Sequence, residues 1–168
     1  MKIASAASAF PDHYYPQAVL LEAFQRYWAG QLENPRFLER LHANVAVDGR
    51  YTALSMEEYF DLSTWGQANN HWIRVALQIG EKALSAALSR AGLKPSDLDA
   101  LFFVSVTGIC SPSIDARLIN RMGLKPGLRR VPIFGLGCVA GASGISMAAD
   151  YVRAYPKRVA ALLSVELC

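Results

Sequence analysis

The feature that most constrains the fold is an alternation in the second half of the chain. Ala100–Thr107, Arg129–Phe134 and Arg158–Leu167 are nearly continuous apolar runs of strand length. Between them lie two stretches of helical character, Pro112–Met122, closed by Gly123, and Val139–Tyr155. Apolar strands separated by helices form a parallel sheet covered on both faces. The last run is apolar enough for a central strand, yet the sequence stops at Cys168. A continuation beyond that residue is therefore expected, with this chain a piece of something longer.

The first half is less regular. Lys2–Ala7 reads as an edge strand, and Pro11 and Pro16 bracket a turn. Gln17–Ala29 carries Leu20, Leu21, Phe24, Tyr27 and Trp28 at helical spacing, with Gly30 as the stop. Asn34-Pro35 caps and opens a short helix through His42. Asn44–Leu54 is expected to be extended around Asp48-Gly49. Ser55 with Glu58 forms a capping box over another short helix. The longest helix is expected from Gly66 to Ala91, where Trp72, Val75, Ala76 and Ile79 share a face and Gly92 ends the run.

Composition narrows the function classes. The chain is 52% apolar and 18% charged, against about 25% charged in an ordinary soluble domain. That excludes intrinsic disorder and predicts that some apolar surface meets a partner. A net charge of +3 is too small to support nucleic-acid binding. No apolar run reaches the roughly 18 residues of a membrane span. The apolar N-terminal stretch is too rich in small residues to read as a signal peptide. Cys110, Cys138 and Cys168 are odd in number and lack metal-ligand spacing. A reducing cytoplasmic location and the absence of a metal site are the resulting expectations.

The chemistry concentrates in Gly135-Leu136-Gly137-Cys138-Val139-Ala140-Gly141-Ala142. Glycines permit a sharp strand-to-helix turn. A cysteine there lies beside free backbone N–H groups and the positive end of a helix dipole, which favour a thiolate nucleophile. A helix N-terminus is worth only about 0.3–1 kcal/mol, or ~2 when partly buried. A fully ionised thiol therefore needs a second cation, usually a histidine. None of His13, His42 and His71 is obviously placed for that by sequence. Two other readings stand beside the nucleophile. Cys138 can be a small buried hydrophobe. Alternatively, Gly135-x-Gly137-x-x-Ala140 with Glu166 at the end of the next strand outlines a dinucleotide-binding unit.

The Cys138 turn resembles the nucleophile turn of the type III polyketide synthases, the chalcone and stilbene synthase family of the thiolase superfamily. Phe10-Pro11, Tyr15-Pro16-Gln17 and Glu22-Ala23-Phe24 resemble the N-terminus of bacterial members. Val104-Ser105-Val106-Thr107-Gly108 with Pro112 is similar to the family's strand and loop at the starter pocket and dimer contact. Met122-Gly123-Leu124-Lys125-Pro126 leading to Arg130-Val131-Pro132 fits too, as does Ser164-Val165-Glu166-Leu167-Cys168. The resemblance covers essentially all of residues 1–168 and implies one thiolase-like N-terminal domain. The implied fold is α/β, a mixed, mostly parallel sheet with helices on both faces, half of an αβαβα sandwich. The family's catalytic His and Asn lie in a second half that this sequence does not include.

The resemblance implies an acyltransferase. Cys138 would take an acyl group from acyl-CoA and pass it to the carbanion left when malonyl-CoA loses CO2. No cofactor is implied, since the coenzyme arrives with the substrates, and the chain alone is expected to be inactive. Arg40 matches a coenzyme A phosphate contact, while Asn44 stands where plant members have a Lys. Thr107 falls on the starter pocket and Cys168 on the cavity wall. Ser111 falls where a bulkier residue crosses the interface of the implied homodimer. These departures make a fatty acyl starter, giving pyrones or resorcinols, the expected substrate. A ketoacyl carrier-protein synthase-like enzyme and a non-catalytic interaction module are the alternatives.

Overall fold

The computed structural model describes every residue except Met1, Leu32, Glu33, Pro35 and Cys168. The chain divides into two compact units, one made of residues up to Phe10 together with Trp72–Leu167, the other of Pro11–His71.

In the second unit, β1 (His13–Pro16) pairs antiparallel with β2 (Gly49–Thr52). Pro16 ends its strand, where a missing N–H costs no ladder bond, and the Gln17 N–H then reaches the Asp48 carbonyl at 2.8 Å. The two prolines thus frame a short edge strand rather than a turn. Helix α1 (Gln17–Tyr27) packs against α2 (Arg36–Asn44). The Arg36 N–H donates to Asn34 Oδ1 at 3.1 Å, as an Asn cap should; Pro35 lies outside the described residues. Helix α3 (Met56–Phe60) carries both bonds of the capping box. The Glu58 N–H donates to Ser55 Oγ at 3.3 Å and the Ser55 N–H to Glu58 Oε2 at 2.9 Å.

The first unit is built on β3 (Ala100–Val104), β4 (Arg129–Ile133) and β5 (Ala160–Ser164), parallel in the order β4-β3-β5. All five residues of the central strand β3 are buried, which is why it reads as a continuous apolar run. Successive side chains alternate between the two faces. Ala100, Phe102 and Val104 join Ile133 and Ala140 in a core packed by Tyr151 and Leu162. Helix α6 (Ala140–Ala154) covers that face. Gly144 brings the helix so close to β5 that a Cβ there would stand 2.6 Å from Leu162 Cδ1.

Helix α4 (Trp65–Arg90) and α5 (Ile114–Met122) lie on the other face, where Gly80 of α4 approaches Leu163, Val165 and Leu118. The sheet therefore has helices on both faces, as the sequence predicts. The buried Asp115 of α5 takes a hydrogen bond from Arg130 at 3.1 Å.

The expected edge strand at Lys2–Ala7 does not form, and the segment joins no ladder. Its polar groups turn to α4 instead. Ser5 Oγ donates to the Ala87 carbonyl and Arg90 donates to the Ala6 carbonyl, each at 2.7 Å. Among the described residues, no helix is long and apolar enough to cross a membrane.

Candidate active site

In an open parallel sheet, functional residues collect beyond the carboxyl ends of the strands. Three segments meet that description here: Ser105–Thr107 after β3, Phe134–Val139 after β4 and Val165–Leu167 after β5. The second of them carries Cys138. Gly135 and Gly137 adopt φ of 87° and 57°, a left-handed backbone that side chains resist. A 3-10 turn over Gly137–Val139 then leads into α6. No side chain caps that helix; the Ala140 N–H turns back to the Gly137 carbonyl of the 3-10 turn, and the cysteine sits at the start of the helix dipole. Cys138 is exposed on this turn, which rules out its reading as a small buried hydrophobe.

Cys110 provides the contrast. It is only partly exposed, and burial pushes its thiol up, against the opposing influence of Arg117. The unit that holds Cys138 contains no histidine, because His13, His42 and His71 all belong to the other. A histidine partner for Cys138 must therefore come from outside its own unit.

The other two segments are tied to each other through a carboxylate. Glu166 accepts from the Val106 N–H at 3.1 Å, the Thr107 N–H at 3.2 Å and the Thr107 hydroxyl at 2.9 Å. Ser105 Oγ stands at 3.5 Å. Thr107 Oγ1 in turn accepts from the Leu167 N–H at 3.1 Å and from the Trp72 indole N–H at 3.2 Å. The hydroxyl has then used its one proton and both lone pairs. The Trp72 ring lies directly over Gly108, where a Cβ would overlap it.

Sequence reasoning placed Thr107 on a pocket and Trp72 in a core, and missed the network that joins them. Glu166 reads by sequence as a ribose ligand in one alternative and as part of the family's Ser164–Cys168 strand in the other; in the fold its carboxylate is taken up by the loop beside it.

The remaining positions separate. Ser111 is exposed in the loop between β3 and α5. Arg40 is exposed on α2, in the unit that does not hold Cys138. Cys168 lies outside the described residues. Phe134 is 62% exposed, Val139 58% and Ile145 59%, so the turn and the first turns of α6 carry uncovered apolar side chains. Among the described residues, no three His, Cys, Asp or Glu side chains gather as metal ligands.

A glycine-framed, exposed cysteine at this strand-to-helix junction also matches a known sequence family. The profile described as "Chalcone and stilbene synthases, N-terminal domain" matches residues 2–165. The chain belongs to the chalcone and stilbene synthase family.

Within this family it is 44% identical over 166 residues to a 1,3,6,8-tetrahydroxynaphthalene synthase of Streptomyces peucetius subsp. caesius, covering 99% of this chain and 44% of that protein. It is 31% identical over 159 residues to a phloroglucinol synthase of Pseudomonas fluorescens, covering 94% of this chain and 45% of that one. The fold superposes with a TM-score of 0.90 and 30% identity on the 1,3,6,8-tetrahydroxynaphthalene synthase of Streptomyces coelicolor, a bacterial type III polyketide synthase, covering 98% of this chain and 47% of the other. The chain thus spans a little under half the length of these relatives. The α/β, thiolase-like half expected from the sequence is the fold observed.

Proposed function

We propose that this chain is the nucleophile-bearing half of a type III polyketide synthase. The observation that carries the reading is the exposed Cys138 on its glycine turn at the uncapped N-terminus of α6. The Cys138 thiolate attacks the carbonyl of an acyl-CoA, the C–S bond to coenzyme A breaks, and an acyl thioester remains on the enzyme. Malonyl-CoA then loses CO2, and the resulting carbanion attacks the held acyl carbonyl. Cys138 leaves as thiolate, and the chain on coenzyme A is two carbons longer. Donors aimed at the developing oxyanion and enolate are worth several kcal/mol in such steps. The family's His and Asn supply them from the second half, so this chain alone loads but does not extend. Arg40 is assigned to the coenzyme phosphates, Thr107 and Cys168 to the cavity wall, and Ser111 to the contact between the protomers of a homodimer.

The departures at Asn44, Ser111 and Cys168 favour a fatty acyl starter. Similarity across 166 residues to a tetrahydroxynaphthalene synthase weighs more than three positions. Tetrahydroxynaphthalene bears no alkyl chain, whereas a fatty starter leaves one on its product. We therefore assign malonyl-CoA as the source of both starter and extender units.

The test is intact-protein mass spectrometry after incubation with malonyl-CoA, or with a long-chain acyl-CoA, repeated with Cys138→Ala. An adduct from malonyl-CoA that vanishes in the variant is expected, with no polyketide released. An adduct that survives Cys138→Ala overturns the nucleophile. A long-chain adduct in preference to a malonyl-derived one overturns the starter alone.

A further inference from the structure

The opposite end of the parallel sheet holds a feature that the acyl-transfer reading does not use. The starts of β3, β4 and β5 and the end of α6 enclose a cleft of about 360 Å3, within the roughly 300–1,000 Å3 of small-molecule sites. At its base lies Asp99, whose side chain is 8% exposed. Lys125 and Arg158 both donate to the same oxygen, Oδ1, at 2.8 and 2.7 Å, and the Val159 N–H donates to Oδ2 at 2.9 Å. Lys125 has two further N–H donors and Arg158 four. A third cation, Arg129, lies over the Tyr151 ring at 5.6 Å and has no carboxylate partner among the described residues. Tyr155 sits 5.1 Å from Tyr151, centroid to centroid, and is half exposed.

The charges do not cancel. Three cations face one carboxylate, leaving two positive charges. The carboxyl end of α6 offsets about half a charge at most. One carboxylate explains why Lys125 and Arg158 are held; it leaves Arg129, which rests on the partly buried Tyr151 ring, with no anion, beside the half-exposed Tyr155. Guanidinium and ammonium groups bind phosphates, and an exposed ring stacks a nucleobase for about 1–3 kcal/mol. We propose that this cleft binds a nucleoside polyphosphate, with its phosphates on Lys125, Arg129 and Arg158 and its base against Tyr155. The site lies roughly 17 Å from the Cys138 edge, the length of a five-residue strand at ~3.3 Å per residue. It is independent of the polyketide synthase reading.

The probe is ATP, titrated calorimetrically into the chain at near-physiological salt, with pyrophosphate and adenosine as comparisons. Saturable ATP binding is expected, tighter than pyrophosphate, with adenosine weakest. Arg129→Ala and Tyr155→Ala alter exposed side chains that do not hold Asp99. Each is expected to weaken ATP at least tenfold, and Tyr155→Ala should leave pyrophosphate unchanged. Thermal melts of both variants confirm that the fold is intact.

Pyrophosphate binding as tightly as ATP overturns the base contact and with it the nucleotide assignment, as does the absence of saturable binding. Arg40→Ala separates this site from the coenzyme site proposed above. ATP binding lost in Arg40→Ala but kept in both cleft variants overturns the cleft.

Discussion

The two ends of the parallel sheet each bind a carboxylate, and they do so in opposite ways. At the amino ends of the strands, Asp99 is neutralised mainly by side chains, and those side chains keep donors to spare. At the carboxyl ends, Glu166 is surrounded mainly by the backbone and hydroxyl of one neighbouring loop. The first arrangement is redundant and open, with one acceptor served by two half-exposed cations. The second is closed: several donors depend on a single acceptor. A loop that must keep one conformation gains from the closed kind. A surface that binds an anion needs the open kind, because its cations must be free to turn outward. The carboxyl end also leaves Phe134, Val139 and Ile145 uncovered, whereas the amino end is lined by charge and tyrosine.

Removing Glu166 is the most severe way to break this comparison. In Glu166→Ala the Val106 and Thr107 amides and the Thr107 hydroxyl lose their acceptor together. A buried donor left unpaired costs about 1–3 kcal/mol. Val106 and Thr107 are exposed, so water replaces part of that loss, and the total stays near one full penalty rather than three. The expected loss is about 3 kcal/mol, or roughly 6–12 °C in melting temperature for a chain of this length. Glu166→Gln keeps an acceptor and should lose less. Thermal unfolding of the two variants decides the point, and a loss in Glu166→Ala no greater than in Glu166→Gln means the loop is held by something else.

The amino end is probed by acid. Burial pushes the Asp99 carboxyl up, but the bonds from Lys125, the Val159 amide and Arg158 outweigh it and bring it down from 3.8 to about 2. A carboxyl lowered on folding stabilises the protein above its unfolded value, and that contribution disappears as pH falls through the folded one. Asp99 therefore contributes about 2 kcal/mol at neutral pH, lost between about pH 4 and pH 2. Unfolding of the wild-type chain and Asp99→Asn by denaturant across that range should show a difference that shrinks toward zero at the acid end. A difference that stays constant with pH removes the ion pairs as its cause.

These two ends were not equally legible in the sequence. Local signals carried well. The capping box at Ser55 and Glu58 forms both its bonds, and α4 begins and ends within one residue of the expected span. The Gly135–Gly137 turn declares itself because its glycines are adjacent to the residue they position.

What failed was non-local. Lys2–Ala7 looks like a strand by composition, but a strand needs a neighbour, and its polar groups found α4. The apolar runs also overestimated the strands. β3 ends at Val104, because Ser105–Thr107 bends away to meet Glu166 about 60 residues further on. No spacing rule reaches that far, so Glu166 passed for a ribose ligand and the indole N–H of Trp72 went unread. The Cys138 turn was legible because its geometry is local; the network and the cleft were not, because strand pairing creates them.

The finest test asks whether the amino end is as redundant as its geometry implies. Arg158 is largely exposed and donates to the same oxygen as Lys125. In Arg158→Ala, Asp99 keeps Lys125 on Oδ1 and the Val159 amide on Oδ2. The expected destabilisation at neutral pH is therefore smaller than in Asp99→Asn. The Asp99 carboxyl should move back up toward its ordinary value, so that the acid loss begins at a higher pH than in the wild-type chain. Carboxyl titration of Asp99 by NMR reads that movement directly. Should Arg158→Ala cost as much as Asp99→Asn, the two cations act as one indivisible clamp. Arg158 would then have no donor to offer a ligand, and the contrast between an open and a closed end of the sheet would fail.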